Sequence, residues 1–205
     1  MVRFSAHDFL WVHSDEDLIG EVPDWVHLVW NPKLPLVCRR DSSTEYCLLP
    51  VGIRGRIRKE RCALWINENR VARRVTPRDV VALLYTCSLR TPAVQSARVF
   101  SETDWPFYWG ITGSCAYSLV TGTNVMHRTS DLDLVIRSAS PLKKADLRQW
   151  VRVASGCMCR TDTQIDTGVG AFSLNEWMQS DTVLLKTNQG PRLVRNPWEG
   201  VPGGV

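Results

Sequence analysis

The stretch Ser130-Asp131-Leu132-Asp133-Leu134-Val135-Ile136 decides how the second half of this chain folds. Successive side chains of a strand point to opposite faces, so the apolar residues take one face and Asp131 and Asp133 take the other. We therefore predict a strand over Leu132–Ile136. The two neighbouring carboxylates can bind one divalent ion, or two ions about 3.5–4 Å apart. The alternative is a strand whose acidic face is simply solvated.

An apolar strand and a Gly-Ser turn precede this acidic strand. The sequence Trp109-Gly110-Ile111-Thr112-Gly113-Ser114 predicts a strand over Phe107–Ile111 and a helix from Ser114 that ends before Gly122. A helix N-terminus presents free N–H groups, and glycine lets a phosphate approach the backbone closely. A phosphate cradle beside two metal-binding acids is what transfer of a nucleotidyl-like group from a triphosphate to a hydroxyl requires. An ordinary loop is the alternative.

Strands and helices alternate through the rest of the C-terminal half, which predicts an α/β or α+β unit. The expected elements are a helix from Pro141 capped by Ser140, a strand near Thr161–Ile165, a helix with the capping box Ser173 and Glu176, and a hairpin of Val183–Lys186 and Arg192–Arg195. Lys186 and Arg192 would face each other across this hairpin. Each can reach phosphate oxygens, or serve only as an exposed structural cation.

The N-terminal part of the chain is strongly basic. Ten Arg and one Lys stand against four acidic residues between Arg39 and Arg78, whereas the whole chain has a net charge of +4. Arginine favours bidentate contact with phosphate or carboxylate. Short β-like pieces at Leu36–Arg40, Tyr46–Val51 and Ala63–Ile66 predict a small, mostly β unit.

A helix start follows the basic segment, with Thr76 as N-cap and Pro77 at the first helical position. Residues 91–106 contain two prolines and little sustained periodicity, so we place a domain boundary near Arg90. The prediction is an α+β protein with a basic N-terminal domain, residues 1–90, and a catalytic domain, residues 91–205.

Cysteines and apolar runs exclude several classes of protein. The seven scattered cysteines do not suggest a disulfide framework, and Cys157-Met158-Cys159 lacks a second pair of ligands at zinc spacing. No segment approaches the ~18 apolar residues of a membrane helix, and the N-terminus lacks an unbroken apolar run typical of a signal peptide. We expect a cytoplasmic protein with reduced thiols and no membrane partner.

Gly113-Ser114 followed by Asp131-x-Asp133 resembles the signature of the polymerase-β-type nucleotidyltransferase superfamily. The resemblance implies that both aspartates bind Mg²⁺ and that a later strand supplies a third carboxylate. We select Asp162 for this role as a catalytic and metal-binding residue, with Asp166 in reserve. Gly113 and Ser114 would bind the substrate phosphates.

A closer resemblance covers most of the chain and is to the malonate decarboxylase holo-acyl-carrier-protein synthases. The matching pieces are His7-Asp8-Phe9-Leu10-Trp11, Leu34-Pro35-Leu36-Val37, Arg39-Arg40-Asp41, Val51-Gly52-Ile53-Arg54-Gly55, Trp109–Ser114, Ser130–Leu134 and Lys186 through Pro191-Arg192-Leu193-Val194 to Pro197-Trp198. This family implies a two-domain enzyme. Its substrate would be 2′-(5″-triphosphoribosyl)-3′-dephospho-CoA, and its acceptor a serine of the acyl-carrier subunit of malonate decarboxylase.

The role of the basic segment stays open between two ligands. Arg54, Arg58 and Arg61 can grip the phosphates of the long substrate, or can contact the carrier protein, which the family implies is acidic. The rival functions are transfer of AMP or UMP, the equivalent reaction on citrate lyase, and a non-enzymatic nucleic-acid-binding module. The last leaves the Asp131 and Asp133 pair unexplained, so we expect no nucleic-acid partner.

Overall fold

The computed structural model describes residues 4–43, 45, 47–55, 57 and 59–199. The chain divides into two compact units, one ending at Thr76 and one beginning at Pro77. A mostly β first unit and a second unit with a mixed sheet and helices confirm the α+β prediction. Of the helices in the described ranges, none has the length and apolar character needed to cross a membrane.

A five-stranded antiparallel sheet forms the first unit. Its elements are β1 (Phe9–Val12), a 3-10 turn (Asp15–Asp17), α1 (Asp24–Val29), β2 (Leu36–Cys38), β3 (Leu48–Arg54), β4 (Arg61–Asn67), a 3-10 turn (Glu68–Arg70) and β5 (Val71–Val75). The strand order is β4-β3-β2-β1-β5. Three of these strands overlap the predicted pieces, although Tyr46 lies outside the described residues. Leu10, Leu36 and Leu64 are fully buried in the core.

The second unit is built on a six-stranded sheet. Its elements are α2 (Pro77–Leu83), α3 (Pro92–Ser101), β6 (Tyr108–Ile111), α4 (Gly113–Thr121), β7 (Leu132–Arg137), α5 (Lys144–Ser155), β8 (Thr161–Asp166), β9 (Gly170–Ser173), α6 (Leu174–Gln179), β10 (Val183–Thr187) and β11 (Gly190–Val194). The order is β11-β10-β9-β8-β7-β6. Strands β7 and β8 are parallel and α5 connects them, whereas the other neighbouring strands are antiparallel.

The compact units divide before α2, whereas the sequence places the boundary after this helix, near Arg90. Helix α2 packs on β6 and α4. A Cβ atom at Gly110 of β6 would lie 2.6 Å from the Cβ atom of Pro77, so the close approach requires glycine there. This contact joins the start of α2 to the second unit.

Helix α3 was not predicted, because residues 91–106 show little periodicity. Its start nevertheless carries a local signal, since Thr91 accepts a hydrogen bond from the Val94 N–H and Pro92 occupies the first turn. The same Thr-Pro pattern begins α2. Ala93, Val94, Ala97 and Phe100 form its buried side.

One predicted helix start is wrong, and one predicted capping box does not form. Helix α5 begins at Lys144 and not at Pro141, because the Ser140 carbonyl accepts the Ser138 hydroxyl (2.6 Å) in a turn before the helix. Ser173 does precede α6, but it makes no capping hydrogen bond. Glu176 instead accepts the Leu184 N–H (3.1 Å), which ties α6 to β10.

Candidate active site

The acidic strand has the predicted alternation. Leu132, Leu134 and Ile136 of β7 are buried, whereas Asp131 and Asp133 are only partly buried. The buried side chains hold β7 against the core. The aspartates are therefore left on the opposite face, next to one another, as the sequence indicates.

Asp162 joins these residues through the pairing of β7 with β8. The two strands are parallel, and their register places Asp133 directly beside Asp162. Paired residues of neighbouring strands point to the same face at a strand spacing of about 4.8 Å. The Asp162 side chain is half-buried, and no hydrogen bond or ion pair engages it within the part of the chain that the structure describes. The structure thus brings the chosen third acid into one row with the other two.

The Gly113-Ser114 turn lies against this row. The Thr112 N–H donates to the Asp133 carbonyl oxygen (2.9 Å), and helix α4 begins at the next residue. Gly113 has a φ of 64°, and a Cβ atom there would lie 2.8 Å from Cγ of Asp133 and closer still to its Oδ2. Only glycine meets both conditions, the left-handed backbone and the close approach of the carboxylate.

The N-terminus of α4 is the candidate anion-binding element of this site. Thr112 occupies the N-cap position without a side-chain capping hydrogen bond. The Ser114 hydroxyl, one residue into the helix, has no hydrogen-bond partner in the described ranges. The first N–H groups of a helix lack intrahelical acceptors and carry the positive end of the helix dipole.

The three carboxylates do not form a preassembled metal cage. In the described residues, no group of three or more His, Cys, Asp or Glu side chains converges closely enough to hold an ion. Mg²⁺ sites on phosphate substrates use one or two carboxylates together with phosphate oxygens, so this arrangement fits that ion without a third preset ligand. The oxygen donors are of the type that Mg²⁺ prefers.

The reserve candidate Asp166 lies at the other end of β8. It is buried, pairs in register with Arg137, and accepts the Gly168 N–H (3.0 Å) through Oδ1. These contacts shape the turn into β9. Asp166 is therefore separated from the acidic row by about four residues of strand, or about 13 Å.

Cys115 lies near the acids but is not suited to nucleophilic chemistry. Burial, with smaller contributions from the neighbouring Cys159, Cys87 and Asp133, raises the pKa of its thiol to about 12. The reactive form of cysteine is the thiolate. Cys115 therefore stays protonated at neutral pH and acts as a small apolar residue beneath the site.

Lys186 and Arg192 do not face each other, contrary to the sequence prediction. The register of the hairpin pairs Lys186 with Pro191 and Leu185 with Arg192. The two cations therefore point to opposite faces of the sheet. Lys186 shares the face of the acids but stands in the row of Ala171 and Asp166, away from Asp162. Phosphate binding by either cation stays a prediction.

The other predicted site residues belong to the first unit. Arg54 is exposed at the end of β3, and Arg58 lies outside the described residues. The His7-Asp8 pair of the sequence resemblance is structural, since Asp8 is fully buried and forms an ion pair with Arg74 at 2.6 Å. A phosphate-binding role for Arg54 and Arg58 is a prediction that the structure does not test.

Sequence reasoning missed Arg160. Its Nε atom lies 3.9 Å from Oδ2 of Asp131, and its side chain is 77% exposed. Its carbonyl accepts the Leu132 N–H (2.9 Å), so it is anchored at the start of the acidic strand. The sequence signal that could have indicated Arg160 is its position two residues before Asp162. The exposed guanidinium of Arg160, at the edge of the acidic row, can reach a substrate phosphate bound beside the three carboxylates.

Comparison with known proteins decides the family. Family models described as the phosphoribosyl-dephospho-CoA transferase MdcG C-terminal and N-terminal domains match residues 81–197 and 5–77. This chain belongs to the MdcG family. The predicted resemblance to this transferase family is thereby confirmed for both the N-terminal and the C-terminal part of the chain.

Curated members of the MdcG family are similar over almost the whole chain. A phosphoribosyl-dephospho-CoA transferase of Klebsiella pneumoniae is 40% identical over 195 residues, covering 94% of this chain and 95% of that protein. Proteins of the same name from Pseudomonas fluorescens and Azotobacter vinelandii are 35% identical over 199 residues and 33% identical over 201 residues. They cover 94% and 95% of this chain, and 94% of each relative. No solved structure matches.

Proposed function

We propose that this chain transfers the phosphoribosyl-dephospho-CoA group from 2′-(5″-triphosphoribosyl)-3′-dephospho-CoA to a serine of the acyl-carrier subunit of malonate decarboxylase. The serine oxygen forms a bond to the innermost phosphorus of the triphosphate. The bond from that phosphorus to the bridging oxygen breaks, the hydroxyl proton leaves, and pyrophosphate is released. The family and the names of its curated members support the transferred group.

The observation that carries this proposal is the acidic row beside an open helix N-terminus. Asp133 and Asp162 are neighbours in register, and the Asp133 carboxylate lies against the Gly113 backbone. A phosphate held by the first N–H groups of α4 and by Ser114 is therefore next to the carboxylates. A triphosphate needs this combination, because its charge must be neutralised while one phosphorus is attacked.

Mg²⁺ is the proposed cofactor, held by Asp131, Asp133 and Asp162 together with substrate phosphates. When bound, it would stabilise the charge of the phosphates and lower the pKa of the attacking hydroxyl. The chain's own residues do the rest. Asp162 orients and accepts the serine proton through a carboxylate oxygen, and Ser114 and the α4 N–H groups hold the distal phosphates.

The activity is tested by intact mass spectrometry of the carrier subunit. The chain is incubated with Mg²⁺, the carrier and the triphosphoribosyl substrate, with ATP replacing the substrate in a parallel tube. We expect a mass gain equal to one phosphoribosyl-dephospho-CoA group, only with the triphosphoribosyl substrate, and release of pyrophosphate. A nucleotide-sized gain that requires ATP contradicts the proposal and favours AMP transfer.

Gly113→Ala is expected to lower the rate of transfer about 100-fold, because a misplacement near 1 Å in a positioned site costs about that much. The added methyl group would overlap the Asp133 carboxylate and push it from the row. Transfer is measured by the same mass assay, with circular dichroism and thermal unfolding to establish that the variant is folded.

Gly122→Ala at the other end of α4 provides the matched control. Gly122 has a similar φ, 72°, but a Cβ atom there meets nothing within 4 Å. It therefore shares the backbone strain, on the order of 1 kcal/mol, without the contact to Asp133. Equal transfer rates in the two variants would show that Gly113 has no special role beside Asp133.

A further inference from the structure

The hairpin formed by β3 and β4 carries an unbalanced pair of arginines. Arg54 and Arg61 are direct partners in the register of these antiparallel strands, and both side chains are exposed. Like charges directly opposite each other destabilise a strand pair. Such a pair has no structural benefit of its own, so its position is better explained by an external anion.

No acidic side chain of the described residues forms an ion pair with Arg54 or Arg61. The single acid between them in sequence is Glu60, which is half-buried. Its Oε2 accepts the Ile57 N–H (3.2 Å), while its carbonyl accepts the Gly55 N–H (2.9 Å). Glu60 thus closes the loop of the hairpin, and Arg54, Lys59 and Arg61 are exposed around it.

The tip also exposes an apolar residue. Ile57 is 58% exposed, and the sequence around it supplies further positive charge from Arg56, Arg58 and Lys59. A small phosphate ligand gains nothing from an exposed isoleucine beside it. A protein surface does, because specific interfaces combine apolar contact with a charged rim.

Farther along the same face of β3 and β4, apolar and basic side chains are again side by side. Ala63 is exposed and Trp65 is half-buried beside its partner Pro50. The aliphatic part of Arg39 covers Gly52, where its Cδ lies 3.0 Å from the position of a Cβ atom. Apolar surface framed by arginines suits an acidic protein surface with apolar side chains of its own.

We infer that the exposed described residues of the β3–β4 hairpin, Arg54, Ile57, Lys59 and Arg61, form the docking surface for the acidic surface of the acceptor protein. This inference rests on the proposed function, since it assigns the partner of the same reaction. It assigns Arg54 to the acceptor and not to the phosphates of the small substrate. Electrostatic docking of this kind acts on the encounter of the proteins more than on the chemical step.

The test is the double variant Arg54→Glu/Arg61→Glu in the full chain. We expect the KM for the carrier subunit to rise about tenfold or more at low salt, and the difference from the unsubstituted chain to shrink as salt is added. The KM for the triphosphoribosyl substrate and the kcat at saturating carrier should not change. Ile57→Ser should also raise the KM for the carrier, with little dependence on salt.

Arg148→Glu/Arg152→Glu on α5 is the matched control, because it changes the net charge equally at two exposed arginines of the other unit. It should leave the KM for the carrier near that of the unsubstituted chain. Circular dichroism and thermal unfolding compare the folding of both double variants.

Each other outcome overturns the inference in a recognisable way. No transfer by the unsubstituted chain overturns the proposed function and the docking surface together. Normal transfer with an unchanged KM for the carrier in Arg54→Glu/Arg61→Glu overturns the docking surface alone. A raised KM for the small substrate only would return Arg54 to phosphate binding. If the unsubstituted chain binds an RNA duplex and Arg54→Glu/Arg61→Glu loses that binding while its KM for the carrier is unchanged, the hairpin binds nucleic acid and the docking surface is overturned.

Discussion

Asp133→Asn is expected to reduce the transfer rate by about 10³-fold or more, while the protein stays folded. The loss of a carboxylate charge at the transferring phosphates removes both charge neutralisation and a metal ligand. Asp133 is the central member of the acidic row, since it pairs with Asp162 and lies against Gly113. The amide is nearly isosteric, so the packing of β7 is retained. The rate is measured by intact mass spectrometry of the carrier subunit.

The control for this variant is Asp181→Asn, the same chemical change at an exposed position before β10. It should transfer at the rate of the unsubstituted chain. Calorimetric titration with Mg²⁺ in the presence of the triphosphoribosyl substrate gives a second readout, in which Asp133→Asn should bind the ion more weakly. A folded Asp133→Asn protein that keeps its transfer rate within tenfold would contradict the role assigned to the acidic row.

The local part of this site could be predicted from sequence because it depends on residues close together in the chain. Two-residue alternation alone separates Leu132 and Leu134 from Asp131 and Asp133. The Gly-Ser turn is equally local. The placement of Asp162 depended on the family resemblance, since nothing in its own surroundings indicates which strand lies beside β7. The structure supplies that pairing through the parallel register of β7 and β8.

Register explains the failures as well. A shift of one residue in a hairpin moves a side chain to the other face, so Lys186 and Arg192 could not be placed from their spacing alone. The turn occupies Asn188 and Gln189, and Gly190 already pairs with Thr187. The expected strands, Val183–Lys186 and Arg192–Arg195, leave Gly190 in the turn, and this displaces the expected pairing by one residue.

Strands β1 and β5 of the first unit were not predicted, because their pairing is long-range. Strand β5, at the edge of the sheet, contains the exposed Arg73 and the partly buried Arg74, and adjacent arginines are not a strand signal. The Arg74 guanidinium forms an ion pair with the buried Asp8, in the turn that precedes β1. The Arg73 guanidinium lies over the Trp11 ring, 4.6 Å from its centroid. These partners are more than sixty residues away, as the 66-residue separation of Arg74 and Asp8 shows. Local periodicity carries no information about them.

Trp150→Ala is expected to lower the free energy of unfolding by about 3–5 kcal/mol, the usual range for removing a large buried aromatic residue. The Trp150 ring is fully buried, with its centroid 4.4 Å from that of Phe100 and 4.7 Å from that of Trp105. Its Nε1 donates to Oγ1 of Thr163 (3.0 Å). Urea unfolding followed by circular dichroism measures the loss.

Trp150→Phe separates the packing of this residue from its effect on the acidic row. The smaller ring keeps most of the aromatic contact but leaves the Thr163 hydroxyl without its donor, at a cost of about 1–3 kcal/mol. Because Thr163 follows Asp162 directly in β8, its release should also slow transfer. Tyr85→Ala, at a ring that is 78% exposed, should change the free energy of unfolding by less than about 0.5 kcal/mol. If Trp150→Ala were no more costly than Tyr85→Ala, the aromatic cluster would not be what holds β7 and β8 in position beneath the carboxylates.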